Sequence, residues 1–482
     1  MIMRNNSSTN GLLVLALLSV LLISGATGCA TADPVTDEPE DEVVEEEEVK
    51  TDEEIPEFKT GRIDSLLEEL NYEEEPGLVA AVYEEGNLFY SNYQGLANLD
   101  HDIPLSDSTR FFMASLSKQV TAASAAVLIH RDSLGMQDYV ADYLDDWPEW
   151  ADQVQIQHLI YHTSGLPEIH DLIQVSDHSM SDPLELNDYL DLLKRVESLN
   201  HDPGESFKFT NSGYTTLAAI IEKISDESLD EFAGEALFEP LGMDETHYQT
   251  SRLRVIPNRS LSYESRGGGF RQTYMNTYQG YGPDGLYTTI RDWEKWEQMR
   301  VDEDPLDKGE EFRELLQSAG EKNNGEELNY GFGMYHHNWK GQNVMEHEGR
   351  FMGFRHSLRH FPEYGLSVLV LSNRGGFDAN SFSEEISEYL LDEPLQAWMR
   401  PYTGKYLNPE LDVIYEFSTR NGRLYLERPE TDESVVSFEE EDKWSVGSWD
   451  FVFLRENDEI DRFKLSTGRA RDVEFIRQES SE

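Results

Sequence analysis

Strand patterns at both ends of a long helical stretch constrain the fold of this chain more than any other feature. Residues 77–94 alternate as two strands around a turn: Gly77-Leu78-Val79-Ala80-Ala81-Val82-Tyr83, then Glu84-Glu85-Gly86, then Asn87-Leu88-Phe89-Tyr90. Strand signals return at 330–338, 342–347, 353–360 and 366–373, with a helix pattern over 381–392. Between them, residues 137–300 read mostly as helices and loops, with helical patterns near 185–198, 213–224 and 228–236. An Ala/Val/Leu helix over 115–130 has side chains small enough to lie buried between other elements. The fold class that follows is α/β, an antiparallel sheet flanked by helices, with strands from both ends and a helical insertion between them.

Pro401 marks a change of character. From Tyr402 onward, short runs such as Val413-Ile414-Tyr415-Glu416-Phe417, Leu424-Tyr425-Leu426 and Phe451-Val452-Phe453-Leu454 alternate with turns. They predict a small all-β antiparallel domain over 399–482, separate from the main body over 58–398. A length of 482 residues accommodates both.

Composition excludes several functions. One cysteine rules out internal disulfides and any metal site built from cysteines. A formal net charge of −56, from 95 acidic and 39 basic residues, opposes binding to phosphate backbones, so no nucleic-acid partner is expected. The acidity extends past the local run at 33–54 through the whole chain, and lysines make up 13 of the 39 basic residues. Such a surface repels itself at low salt, and a salt-loving source organism is expected.

The N-terminus carries Arg4, an apolar run from Leu12 to Ile23, and then Ser24-Gly25-Ala26-Thr27-Gly28-Cys29. The run is too short to cross a bilayer as a helix and reads as a secretory signal. Ala26-Thr27-Gly28-Cys29 resembles the bacterial lipobox, although its first position is Ala rather than the usual Leu. That resemblance implies a signal peptide over 1–28, lipidation of Cys29 and an exported, membrane-anchored protein; the alternative is a soluble exported protein with a free thiol. Residues 29–57, with 13 acids and one lysine over 33–54, would then form an extended, self-repelling tether.

The chain holds no GxSxG elbow, P-loop, HExxH or CxxC. It does hold Ser115-Leu116-Ser117-Lys118 at the start of the apolar helix, just after Arg110-Phe111-Phe112-Met113-Ala114. A serine at a helix N-terminus sits where the dipole favours a developing oxyanion. A lysine three residues later projects from the same face and, if buried, gives up its proton more readily and can activate the serine. The competing reading is a helix cap with a surface lysine, but Val120, Ala122, Ala123 and Ala126 make an exposed face there a poor fit.

With these motifs the chain resembles the serine β-lactamase and penicillin-recognising superfamily over roughly residues 60–398. It is most similar to the class C-like esterases and D-amino-acid peptidases. Ser115-x-x-Lys118 matches the nucleophile and its lysine, and His162-Thr163-Ser164-Gly165-Leu166-Pro167 matches a typical loop. Pro203-Gly204-Glu205 and Asn211-Ser212-Gly213-Tyr214 match the second catalytic region, and Leu241-Gly242-Met243 and Gly331-Phe332-Gly333 fit as well. His347-Glu348-Gly349, followed by Gly353-Phe354, matches the third motif, where a strand passes the nucleophile. The resemblance implies an oxyanion hole from the backbone N–H groups of Ser115 and Arg350. It gives Asn211 and His347 positioning roles, leaves room for substrate at Gly349, and puts Phe209 and Gly353 against the substrate. His162 reads as a loop brace. Gly282-Pro283-Asp284-Gly285-Leu286 reads as scaffold. No cofactor and no metal are implied.

One departure stands out. The family's second motif is Tyr-x-Asn, and here it is Phe209-Thr210-Asn211. A missing proton-relay group typically costs about 10²–10⁴ in rate. Lys118 then works alone, or a hydroxyl arrives from elsewhere, or the site is degenerate. The expected activity is hydrolysis of small esters or of D-amino-acid and cell-wall peptide amides through an acyl-enzyme on Ser115. The alternative is a catalytically weakened relative that binds peptidoglycan or a partner protein at the cell surface.

Overall fold

The computed structural model describes residues 57–178, 182–273, 280–301, 306, 308–429, 431–456 and 459–478. The apolar run Leu12–Ile23, Cys29 and the acidic stretch 33–54 lie outside the described residues.

The central sheet joins the two ends of the chain. Its strands are β1 (Leu78–Glu84), β2 (Asn87–Gln94), β3 (Tyr330–Gly331), β4 (Met334–Trp339), β5 (Gln342–Phe351), β6 (Phe354–Phe361) and β7 (Leu366–Ser372), in the spatial order β3-β4-β5-β6-β7-β1-β2. Every pairing is antiparallel, and β1 lies between its sequence neighbour β2 and the distant β7, with Val79 opposite Leu371 and Ala81 opposite Leu369. A strand buried on both faces has no polar side, which is why β1 reads as a continuous Leu-Val-Ala-Ala-Val-Tyr run. Val79, Ala81 and Tyr83 pack into the core beneath the helical region. Leu78, Ala80 and Val82 enter a second core together with the helix Ala379–Leu390 and the C-terminal strands.

Helix α2 (Ser117–His130) is buried along nearly its whole length, as its small side chains require. It begins two residues later than the sequence pattern suggests, because Ala114–Leu116 form a separate 3₁₀ turn. Helix α3 (Asn211–Ser225) packs against α2, and helix α4 (Ala379–Leu390) covers β6 and β7. Helix α1 (Glu57–Leu70), ahead of the sheet, packs against α4 and β2.

Between Gly404 and Arg477, eight antiparallel strands close into a barrel, which removes the exposed edges an open sheet would present. Phe417, Phe451, Phe453, Phe463 and Phe475 alternate with outward residues and fill its interior. The sequence predicts an antiparallel β domain here; closure follows from pairing of the first and last strands, Leu407 opposite Ile476.

Two details of this architecture position the site. Pairing of β5 with β4 ends at Glu346 opposite Tyr335, whereas pairing with β6 continues to Phe351 opposite Phe354. Over 347–351, one edge of β5 therefore carries no strand among the described residues. The 3₁₀ turn 114–116 packs against this part of β5.

Candidate active site

The turn carrying Ser115 is held from several directions. The Met113 N–H donates to Leu286 O (2.8 Å), and the Ser117 hydroxyl donates to Ala114 O (2.6 Å) while accepting from the Leu286 N–H (3.2 Å). Ala114 has φ +47°, a left-handed conformation that costs a non-glycine residue energy and persists only where the surroundings enforce it. His356 supports the segment just before the turn by donating from Nε2 to Phe112 O (2.8 Å).

Lys118 is fully buried beneath this turn. Its Nζ lies 3.0 Å from Ser115 Oγ, 2.8 Å from Asn211 Oδ1 and 2.9 Å from Pro283 O. Burial pulls its pKa down from 10.5 to about 8, although the carboxylates of Asp284 and Glu168 oppose the drop. A neutral amine has two N–H bonds and one lone pair. With Asn211 Oδ1 and Pro283 O each accepting a hydrogen, the lone pair is left facing the Ser115 hydroxyl. The arrangement can take a proton from Ser115.

Asn211 is the first residue of α3, following the helix cap Thr210. Its amide is fixed on the side away from Lys118. Glu168 accepts from the Asn211 backbone N–H (2.6 Å) and from Nδ2 (2.7 Å), and His170 Nδ1 lies 3.3 Å from the same Nδ2. A carboxylate only accepts hydrogen bonds, so the amide nitrogen faces Glu168 and the oxygen faces Lys118.

The Phe209 ring lies 5.0 Å from Lys118 Nζ and is 37% exposed, so it forms an apolar wall beside the amine. It packs on His162 at 4.5 Å and faces His347 at 6.1 Å. Tyr214 is no replacement for the missing tyrosine hydroxyl, since its O–H donates to Ile160 O (3.1 Å) beneath the helix. The His347 ring is buried; Nδ1 donates to Glu348 O (2.7 Å), which leaves Nε2 to accept from the Tyr330 hydroxyl (3.4 Å). Burial, followed by the charge of Lys118, pushes its pKa down to about 3, so it is a neutral dipole near Lys118. His162 is also held well below its usual value by burial, and its carbonyl accepts from the Lys208 N–H (2.8 Å), the bracing role read from the sequence.

On β5, a Cβ added at Gly349 would stand 2.8 Å from Met113 O. This glycine lets the strand approach the turn carrying Ser115, so part of the space expected for substrate is taken by the turn itself. Arg350 is paired opposite Arg355, next to the closing pair Phe351–Phe354 of a two-residue hairpin. Closing pairs of such hairpins exchange hydrogen bonds, and alternation then turns the Arg350 N–H away from β6 toward the open edge. Gly353, expected against substrate, has a packing role of its own. A Cβ there would meet the Tyr263 backbone N and O at 2.6 Å, and this packing accounts for the glycine.

Three contributors escaped the sequence reading. Gly282-Pro283-Asp284-Gly285, read as scaffold, supplies an acceptor to Lys118 through Pro283 O and a nearby negative charge through Asp284. Glu168 directly follows the His162–Pro167 loop, and its adjacency to that motif is the one signal that could have drawn attention to it. Tyr330 sits at the strand start just before Gly331-Phe332-Gly333, and nothing local marks it.

The profile of the family described as Beta-lactamase matches residues 63–389. Penicillin-binding protein 4* of Bacillus subtilis (strain 168) is 28% identical over 411 residues, covering 77% of this chain and 87% of the relative. A D-aminopeptidase of Brucella anthropi is 25% identical over 372 residues, covering 73% of this chain and 69% of the relative. In three dimensions, the octameric penicillin-binding protein homologue from Pyrococcus abyssi superimposes with a TM-score of 0.59 at 20% identity, over 87% of this chain and 99% of that one. The match spans more than half the sequence and includes the Ser115 turn, Lys118, Asn211 and strand β5, so the chain belongs to the Beta-lactamase family of serine hydrolases.

Proposed function

We propose that this protein is an exported serine hydrolase that forms an acyl-enzyme on Ser115, with Lys118 as general base. The observation that carries the proposal is the hydrogen-bond set of Lys118: two acceptors hold its N–H groups and Ser115 Oγ lies at 3.0 Å. Attack on a carbonyl would transfer the Ser115 proton to Nζ. The oxyanion would lie between the Ser115 N–H and the N–H of Arg350 at the open edge of β5. The departing group would take that proton from Nζ, and the neutral amine so restored would activate a water to release the acyl group.

Phe209 narrows the substrate class. An amine leaving group must be protonated as it departs, the task of the family's tyrosine, whereas the alkoxide of an ester is a far better leaving group. Small esters are therefore the first choice. D-amino-acid or cell-wall peptide amides come second, by analogy with the D-aminopeptidase and penicillin-binding relatives.

The test is covalent labelling by a fluorophosphonate in high salt, read by intact mass and peptide mapping, with Ser115→Ala as control. An adduct on Ser115 supports the hydrolase. A folded protein that forms none points to the second reading, a surface binding protein, which the missing tyrosine hydroxyl favours. Lipid anchoring at Cys29 belongs to the same proposal, and Cys29→Ala should abolish incorporation of labelled fatty acid. A salt-loving source is supported by the net charge of −56.

A further inference from the structure

Resting on the hydrolase reading, we infer that Glu168 is a positioning residue: it holds the Asn211 amide with its oxygen on Lys118, so that the lysine's lone pair is left to Ser115. An asparagine amide presents either a donor or an acceptor on a given side, and the two choices have opposite consequences here. With Oδ1 toward Lys118, the amide takes up an N–H of the base. With Nδ2 toward Lys118, the amide would itself donate to the lone pair and compete with the Ser115 hydroxyl. Both Glu168 oxygens are committed to Asn211, one to the backbone N–H and one to Nδ2, at 2.6 and 2.7 Å. This bidentate grip excludes the flipped amide and also satisfies an otherwise free N–H in the first turn of α3. The contacts of Glu168 with its own short helix Ile169–Val175, a cap on the His170 N–H at 3.4 Å and His170 Nδ1 at 3.3 Å, are longer. Glu168 thus serves α3 and the base more than its own helix.

A second consequence separates this role from simple scaffolding. The Glu168 carboxylate is one of the two charges that hold the Lys118 pKa up against burial. Removing that charge lets Lys118 lose its proton at lower pH, while loosening Asn211 slows the proton transfer.

The test is Glu168→Gln, which keeps the shape but lets the amide turn, with Glu168→Ala beside it. The rate of Ser115 labelling by a fluorophosphonate should fall about 10–100-fold at its high-pH plateau. The pH limb should move down by about half a unit or more, with the melting temperature little changed in Glu168→Gln. A purely structural role would lower the rate and the melting temperature without moving the limb. An unchanged limb together with a rate within about twofold of wild type overturns the inference. The second measurement needs no activity: a neutron structure of Glu168→Gln or Glu168→Ala, which tells amide oxygen from nitrogen. An Asn211 oxygen still bonded to Lys118 in both variants overturns the positioning role. If wild-type protein fails to label, the hydrolase reading falls, and the neutron structures still decide what Glu168 does.

Discussion

Under the proposed mechanism, the pH dependence of Ser115 acylation follows from the burial of one ammonium group. Lys118 is fully buried and its pKa lies near 8 rather than 10.5. Only the neutral amine can accept the serine proton, so activity rises with pH through the folded-state value. At pH 6 about one molecule in a hundred holds the neutral base, at pH 7 about one in ten, and at pH 9 about nine in ten. The labelling rate should climb about tenfold from pH 6 to 7, less steeply from 7 to 8, and level off above 9. The assay is the second-order rate of fluorophosphonate adduct formation, measured by mass at constant high salt over pH 5–10. The histidines near the base do not interfere: His347 stays neutral down to about pH 3, and His162 is also held well below its usual value. A limb centred near 6.5 would mean that an imidazole is the base, and a flat profile would mean no general base; either result refutes the assignment of Lys118.

Phe209→Tyr should raise turnover of a D-amino-acid amide by about 10²-fold or more while changing that of an activated ester little; equal effects on both would show that the relay does not act on the leaving group. Lys118→Met should abolish Ser115 labelling yet stabilise the fold. The drop from 10.5 to about 8 amounts to about 3 kcal/mol, an upper bound offset by the lost hydrogen bonds. The stability difference should be largest below pH 8 and shrink toward pH 10.5, because the cost of a depressed lysine fades once the unfolded chain also loses the proton. Melting curves of both proteins across that range would show it, and a less stable Lys118→Met would contradict it. Gly349→Ala, which sets a Cβ 2.8 Å from Met113 O, should cost about 1–3 kcal/mol and slow labelling by shifting the nucleophile turn; an unaffected labelling rate would show that the turn tolerates the shift.

Local chemistry made much of this protein legible from its sequence. A strand buried on both faces must be continuously apolar, and Leu78–Tyr83 is. A helix packed on all sides must have small side chains, and Val120–Val127 has them. Ser115 and Lys118 are three residues apart on one turn of backbone, so their proximity was readable without a fold. The closure of the C-terminal strands was not readable, because it depends on one pairing between strands about seventy residues apart.

Long-range packing decided the rest. Pro283 O, Glu168 and Asn211 come to Lys118 from three separate segments, and no local pattern says that their carbonyl, carboxylate and amide converge there. The packing at Gly353 is equally non-local: a Cβ there would meet the backbone of Tyr263, a contact no short pattern shows. Sequence alone determined which groups could react, because functional groups and short spacings are written in it. Only the tertiary structure decided which of them share one desolvated space, because burial and hydrogen-bond direction are set by residues far apart along the chain.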